Sequence, residues 1–82
     1  MSKPLVSVIV PAYNERGKIG DVVRKVPRRW AATVIVVDDC SRDGTADEAR
    51  EAGAERVIVH EVNRGVGAGI RTGLFAARDA RL

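Results

Sequence analysis

TVIVVDDCSRDGT, Thr33 to Thr45, sets four consecutive apolar β-formers, Val34 to Val37, directly against two adjacent carboxylates, Asp38 and Asp39. A polar turn carrying Gly44 follows. A strand exposed on one face alternates apolar and polar residues, whereas an unbroken apolar run needs cover on both faces. The run therefore reads as a strand of a parallel sheet with helices on either side. Its acids then stand at the carboxyl end, where open α/β sheets keep their ligands.

Two further runs of the same character lie outward from it, LVSVIV (Leu5–Val10) and RVIVH (Arg56–His60). Helical patterns separate the three. Ile19, Val22, Val23 and Val26 recur at helical spacing until Pro27 stops them. Thr45-Ala46-Asp47-Glu48 has the form of a capping box, in which the Thr side chain caps the Glu48 amide and Glu48 reaches back. Ala46, Ala49 and Ala52 give this second helix a slim apolar face, and Gly53 ends it. The last helix starts at Val66 and carries Ile70, Leu74 and Ala77 at helical spacing. The order β-α-β-α-β-α predicts an α/β fold, a three-stranded parallel Rossmann-like half with right-handed crossovers and strand order 3-2-1. Residues 1–82 then form one segment of an incomplete domain. Nothing in the chain pairs with the second edge of the first strand, and an open strand edge is a liability. The expected neighbour along that edge is the remaining half of the domain or a second copy of the chain.

With 82 residues, the chain can bury about 60–65 % of its unfolded surface. Its 14 basic and 11 acidic residues are spread without a block, as on solvated helix faces. Single-stranded nucleic acid wants a basic groove with stacking aromatics, and only Tyr13, Trp30 and Phe75 are available, so no nucleic-acid partner is expected. One cysteine, Cys40, excludes an internal disulfide and fits a reducing compartment. Cys40 and His60 are each single, which leaves no zinc cluster. No run approaches the roughly 20 apolar residues of a membrane span, and MSKPLVSVIV lacks the features of a signal peptide. A cytoplasmic protein is expected, at the membrane surface if the full-length form acts on lipid.

Each strand's carboxyl end carries chemistry. In PAYNE, Pro11 should end the first strand because it has no N–H for the ladder. Tyr13 offers a flat face for stacking a base, or packs on its own loop; Glu15 is an acid at the cleft or in a helix's first turn. Adjacent strand residues face opposite sides, so Asp38 and Asp39 should divide their labour. One can hold the Ser41–Thr45 turn and the other can accept an N–H from a base. A hard metal would need more oxygen ligands than this turn supplies. In NRGVGAGIRTG (Asn63–Gly73), Gly65, Gly67 and Gly69 free the backbone for close approach to a ligand, and the helix N-terminus presents its amides to an anion; alternatively, Gly69 and Gly73 only allow tight helix–sheet packing. The string is neither a dinucleotide fingerprint nor a Walker A loop.

VSVIVPAYNE, VIVVDDCSRDGT and NRGVGAGIRTGL, in this order, resemble the opening of family-two inverting glycosyltransferases of the GT-A fold, closest to the dolichyl-phosphate mannosyl- and glucosyltransferase branch. The likeness runs from Val6 to about Ala77. It implies a nucleotide-binding half for a UDP- or GDP-sugar. Pro11 and Tyr13 would wall and stack the base, Glu15 would lie near base or ribose, and Asp39 would take the base N–H with Asp38 more structural. Asn63, Gly65 and Gly67 would border the nucleoside, and Arg71 would stand at its edge.

The resemblance also implies parts that this sequence lacks. Family members carry a later Asp-x-Asp that holds Mg²⁺ or Mn²⁺ on the diphosphate, then a carboxylate base. No Asp-x-Asp occurs here, so no catalytic residue or metal ligand is assigned within the chain and it is expected to be inactive alone. The alternative is a non-catalytic α/β module that binds nucleotide or self-associates. An NAD-type dehydrogenase half is disfavoured because the first turn lacks glycines. A phosphoacceptor receiver domain would need acids after the first and third strands, where Pro11-Ala12-Tyr13 and Glu61 stand.

Overall fold

The computed structural model describes residues 6–29 and 32–80; Leu5 and Trp30 lie outside them. The elements are β1 (Val6–Ala12), α1 (Ile19–Arg24), β2 (Ala32–Asp38), α2 (Thr45–Glu51), β3 (Arg56–Val59) and α3 (Val66–Ala80). The strands form one parallel sheet in the order β1-β2-β3, the expected 3-2-1 read from the other side.

β2 is central, and its sequence explains why. Val34 and Val36 face one layer, where they pack with Ile19 and Val23 of α1 and Ala49 of α2. Ile35 and Val37 face the other, against Ala76 of α3. All four β2 side chains are fully buried. The two-sided cover expected from the missing alternation is present.

β1 is an edge strand among the described residues, and this corrects the expectation for Pro11. The strand runs through the proline to Ala12, with Pro11 in register with Val37 and Ala12 with Asp38. The Ala12 carbonyl accepts the Asp39 amide at 2.8 Å. Ala12 therefore turns its backbone polar groups to β2, and its neighbour Pro11 turns its missing N–H to the open edge, where no ladder bond is lost.

Two helix faces also differ from the apolar periodicity. In α3, Ile70 and Leu74 are exposed, and the face against the sheet is built from Gly69, Gly73 and Ala76. A Cβ on Gly73 would overlap Ile9 Cγ2, and one on Gly69 would stand 3.4 Å from the Pro11 Cβ. The helix lies too close to β1 for larger residues on that face, so the larger ones are turned outward. In α1, Ile19 and Val23 are buried while Val22 is exposed.

Candidate functional site

The carboxyl ends of the strands gather three loops, and side-chain hydrogen bonds hold these loops together. The capping box does not form. Gly44 is the N-cap of α2 and has no side chain to cap it, and the Thr45 amide is taken by Asp43 Oδ1 at 3.1 Å rather than by Glu48. Thr45 Oγ1 instead accepts the Glu15 amide at 2.9 Å, and the Glu48 carboxylate accepts the Gly17 and Gly20 amides at 2.7 Å each. The residues that could have served their own helix end fasten the loop after β1.

Asp38 is part of the same fastening. Buried at the end of β2, it accepts the Ser41 amide at 3.2 Å and the Ser41 hydroxyl. Ser41 Oγ in turn accepts the Asn14 amide at 2.7 Å, and Asn14 Oδ1 accepts the Arg42 amide at 3.2 Å. Asn14 (φ 49°) and Cys40 (φ 69°) hold the left-handed conformation, a strained one for side-chain-bearing residues that clusters at functional sites.

Asp39 points to the other side and holds the third loop. Its Oδ1 accepts His60 Nδ1–H at 2.9 Å and the Arg64 amide at 2.8 Å; its Oδ2 accepts the Gly65 amide at 2.8 Å. The Gly65 φ of 90° brings that amide inward, a conformation that suits glycine. An ionised carboxylate only accepts, so His60 donates from Nδ1, and its Nε2 lies 2.8 Å from the Thr72 hydroxyl of α3. The His60 hydrogen bond, then the Arg64 amide, holds the Asp39 carboxyl below its ordinary range despite burial. Asp43 is lowered chiefly by the Thr45 hydroxyl, and Glu48 by the Gly17 and Gly20 amides.

Between the fastened loops and α3 lies a cavity of about 140 Å³ lined by Pro11, Ala12, Tyr13, Glu15, Val37, Asp39, Gly65, Val66 and Gly69. The Tyr13 ring is half exposed at this cavity. Of the residues singled out from sequence, Pro11, Tyr13, Glu15, Asp39 and Gly65 come together here. Asp38 lies behind the wall, fully buried, and Asn63, Gly67 and Arg71 are exposed outside the lining set. Gly69, one of the glycines expected to let a ligand approach, also lines the cavity, whereas sequence reasoning passed over Ala12, Val37 and Val66. It also passed over His60, weighed only as a zinc ligand, although its place just past an apolar strand was a signal. Among the described residues no three His, Cys, Asp or Glu side chains come together in a way that would hold a metal ion.

The arrangement offers a flat aromatic face, a carboxylate with capacity left to accept, and an approachable glycine backbone. The family model described as glycosyl transferase family 2 matches residues 7–80. The dolichyl-phosphate beta-glucosyltransferase of Drosophila melanogaster is 38 % identical, with 94 % of this chain and 28 % of that protein covered. The UDP-N-acetylglucosamine--dolichyl-phosphate N-acetylglucosaminyltransferase of Methanococcus voltae is 33 % identical, over 96 % of this chain and 38 % of the relative. Among solved structures, the mannosyltransferase PcManGT from Pyrobaculum calidifontis, in complex with GDP-Man and Mn²⁺, superposes with a TM-score of 0.73. It is 30 % identical, and the match covers 92 % of this chain and 25 % of that one. The chain spans between a quarter and two-fifths of the length of these proteins.

Proposed function

Because the chain belongs to glycosyl transferase family 2, we propose that it is the nucleotide-recognising part of an enzyme that moves a sugar, with inversion, from a UDP- or GDP-sugar to a polyprenyl phosphate. The observation that carries this reading is the cavity itself, which joins Tyr13, Asp39 and Gly65 at the carboxyl ends of β1 and β2. Tyr13 stacks the base, Asp39 accepts from its edge, and Pro11 and Val37 form the apolar floor. Glu15 stands toward base or ribose. Asn63, Gly67 and Arg71 border the nucleoside from outside the cavity, and Asp38 supports the loops from behind.

A polyprenyl-phosphate acceptor is supported by the names of the fly and archaeal relatives. Those names and the solved neighbour leave the base open, since one relative is named for a UDP-sugar and the neighbour holds GDP-Man. Asp38 is engaged with Ser41 and Asp39 with His60, Arg64 and Gly65, so neither carboxylate is placed to hold a metal on the diphosphate. Mg²⁺ or Mn²⁺ in a complete enzyme would take its donors from elsewhere. The open edge of β1, with Val22 of α1 and Ile70 and Leu74 of α3 exposed, supports further polypeptide or a second copy beside that strand.

Two measurements test the reading. Calorimetric titration with UDP and GDP should show binding of at least one that Asp39→Ala abolishes; binding of neither contradicts nucleotide recognition. With nucleotide sugar, Mn²⁺ and polyprenyl phosphate supplied, the 82-residue chain should transfer no sugar. Measurable transfer contradicts the assignment of a recognition part alone.

A further inference from the structure

The hydrogen bonds already made by Asp39 restrict which base it can still read. A carboxylate has about four lone-pair directions, two on each oxygen. His60 Nδ1–H and the Arg64 amide use both directions of Oδ1, and the Gly65 amide uses one of Oδ2. One acceptor direction remains, on Oδ2. Asp39 lines the cavity, and a tenth of its side chain is exposed.

Uracil presents a single donor on its pairing edge, N3–H, between two carbonyl oxygens. Guanine presents N1–H and an N2 amino hydrogen side by side, a fork that needs both carboxylate oxygens. Cytosine, with the same ring size as uracil, presents an unprotonated N3 where uracil has a donor. Resting on the nucleotide reading above, we infer that the site selects uracil over guanine and cytosine, and that His60 is the positioning residue that sets this choice by occupying Oδ1.

His60 suits the task because it is itself held. It is buried, its own amide donates to the Asp38 carbonyl at 2.8 Å, and its Nε2 is fixed by Thr72 of α3. The ring cannot swing aside to release Oδ1 without breaking that bond. Guanine would therefore enter with one donor unmatched in a partly closed site. A buried donor left unpaired reduces affinity by about tenfold or more. Placed as UDP is, CDP would set its N3 lone pair against that of Asp39, and reaching Oδ2 with its N4 amino group would require the ring to shift, so it should suffer a similar loss although it is no larger than UDP.

The test is a calorimetric comparison of UDP, CDP and GDP on the wild-type chain, on His60→Gln and on His60→Asn. In the wild type, UDP should bind about tenfold or more tighter than either competitor. His60→Asn keeps a donor where Nδ1 stood and should keep the preference. His60→Gln places its amide where Nε2 stood, frees a direction on Oδ1, and should narrow the UDP-to-GDP ratio at least threefold. GDP or CDP binding as tightly as UDP to the wild type overturns the inference and leaves the nucleotide reading standing. Equal UDP-to-GDP ratios in the wild type and His60→Gln overturn the role of His60. Binding of none of the three overturns the nucleotide reading itself, and this inference with it.

Discussion

Glu48 Oε1 accepts the Gly17 amide at 2.7 Å across 31 residues of sequence, and so fastens the loop after β1 to the second helix. The same carboxylate takes the Gly20 amide at the start of α1. Glu48→Ala should therefore speed amide exchange at Gly17 and Gly20 and leave the first-turn amides of α2 unchanged. A capping box would give the opposite pattern, faster exchange at the N-terminus of α2.

The close approach of α3 to the sheet predicts opposite outcomes at two glycines of one helix. Gly73→Ala forces a Cβ onto Ile9 and should cost about 1–3 kcal/mol in denaturant unfolding, as overpacking does. A Cβ on Gly67 meets nothing within 4 Å. Gly67→Ala should leave stability unchanged or raise it by up to about 1 kcal/mol, the helix preference of alanine. Loss of nucleotide affinity in that variant would then report contact of the ligand with this backbone.

Acid should loosen the site before the sheet. Asp39 and Asp43 are held below their ordinary 3.8, and Glu48 below its ordinary 4.5. In each case the unfolded chain binds the proton more readily than the folded one, so stability rises with pH through this range. Their contribution is fully present above the unfolded values and is lost as pH falls through the lowered folded ones. Urea midpoints should be level down to about pH 5 and fall below it, with the Gly17, Gly20, Arg64 and Gly65 amides losing protection first. A midpoint that rises on acidification below pH 4.5 would contradict this sign.

Stacking by Tyr13 predicts a separation of binding from folding. The ring is half exposed, and base–aromatic stacking contributes about 1–3 kcal/mol. Tyr13→Ala should weaken nucleotide binding roughly tenfold with little change in Tm, and Tyr13→Phe should keep most of the affinity. Equal affinity in all three proteins would mean that the ring packs on its own loop.

The sheet was legible because Val34 to Val37 admit one arrangement, cover on both faces, and because residues alternate sides along a strand. That alternation also separated Asp38 from Asp39: the first faces the Ser41 turn and the second faces His60 and Gly65. The misreadings share a physical cause. Thr45 and Glu48 have the chemistry to cap a helix, and local sequence carries no sign of the remote amides of Glu15, Gly17 and Gly20 that claim them. Pro11 ends a central strand but not an edge strand, and edge position is a property of the whole sheet. Ile70 and Leu74 follow helical spacing, yet the helix approaches the sheet on Gly69, Gly73 and Ala76, so close packing decided over hydrophobicity. His60 acquires its role only when folding brings Asp39 and Thr72 to either side of the ring.

The central claim is that the cavity at the carboxyl ends of β1 and β2 recognises a nucleotide. Its most direct test is an amide-resolved NMR titration of the chain with UDP and with GDP. The account predicts saturable shifts concentrated at the non-proline residues of the cavity wall, Ala12, Tyr13, Glu15, Val37, Asp39, Gly65, Val66 and Gly69. Shifts that stay absent with both nucleotides at millimolar concentration, or that gather away from these residues, would contradict it.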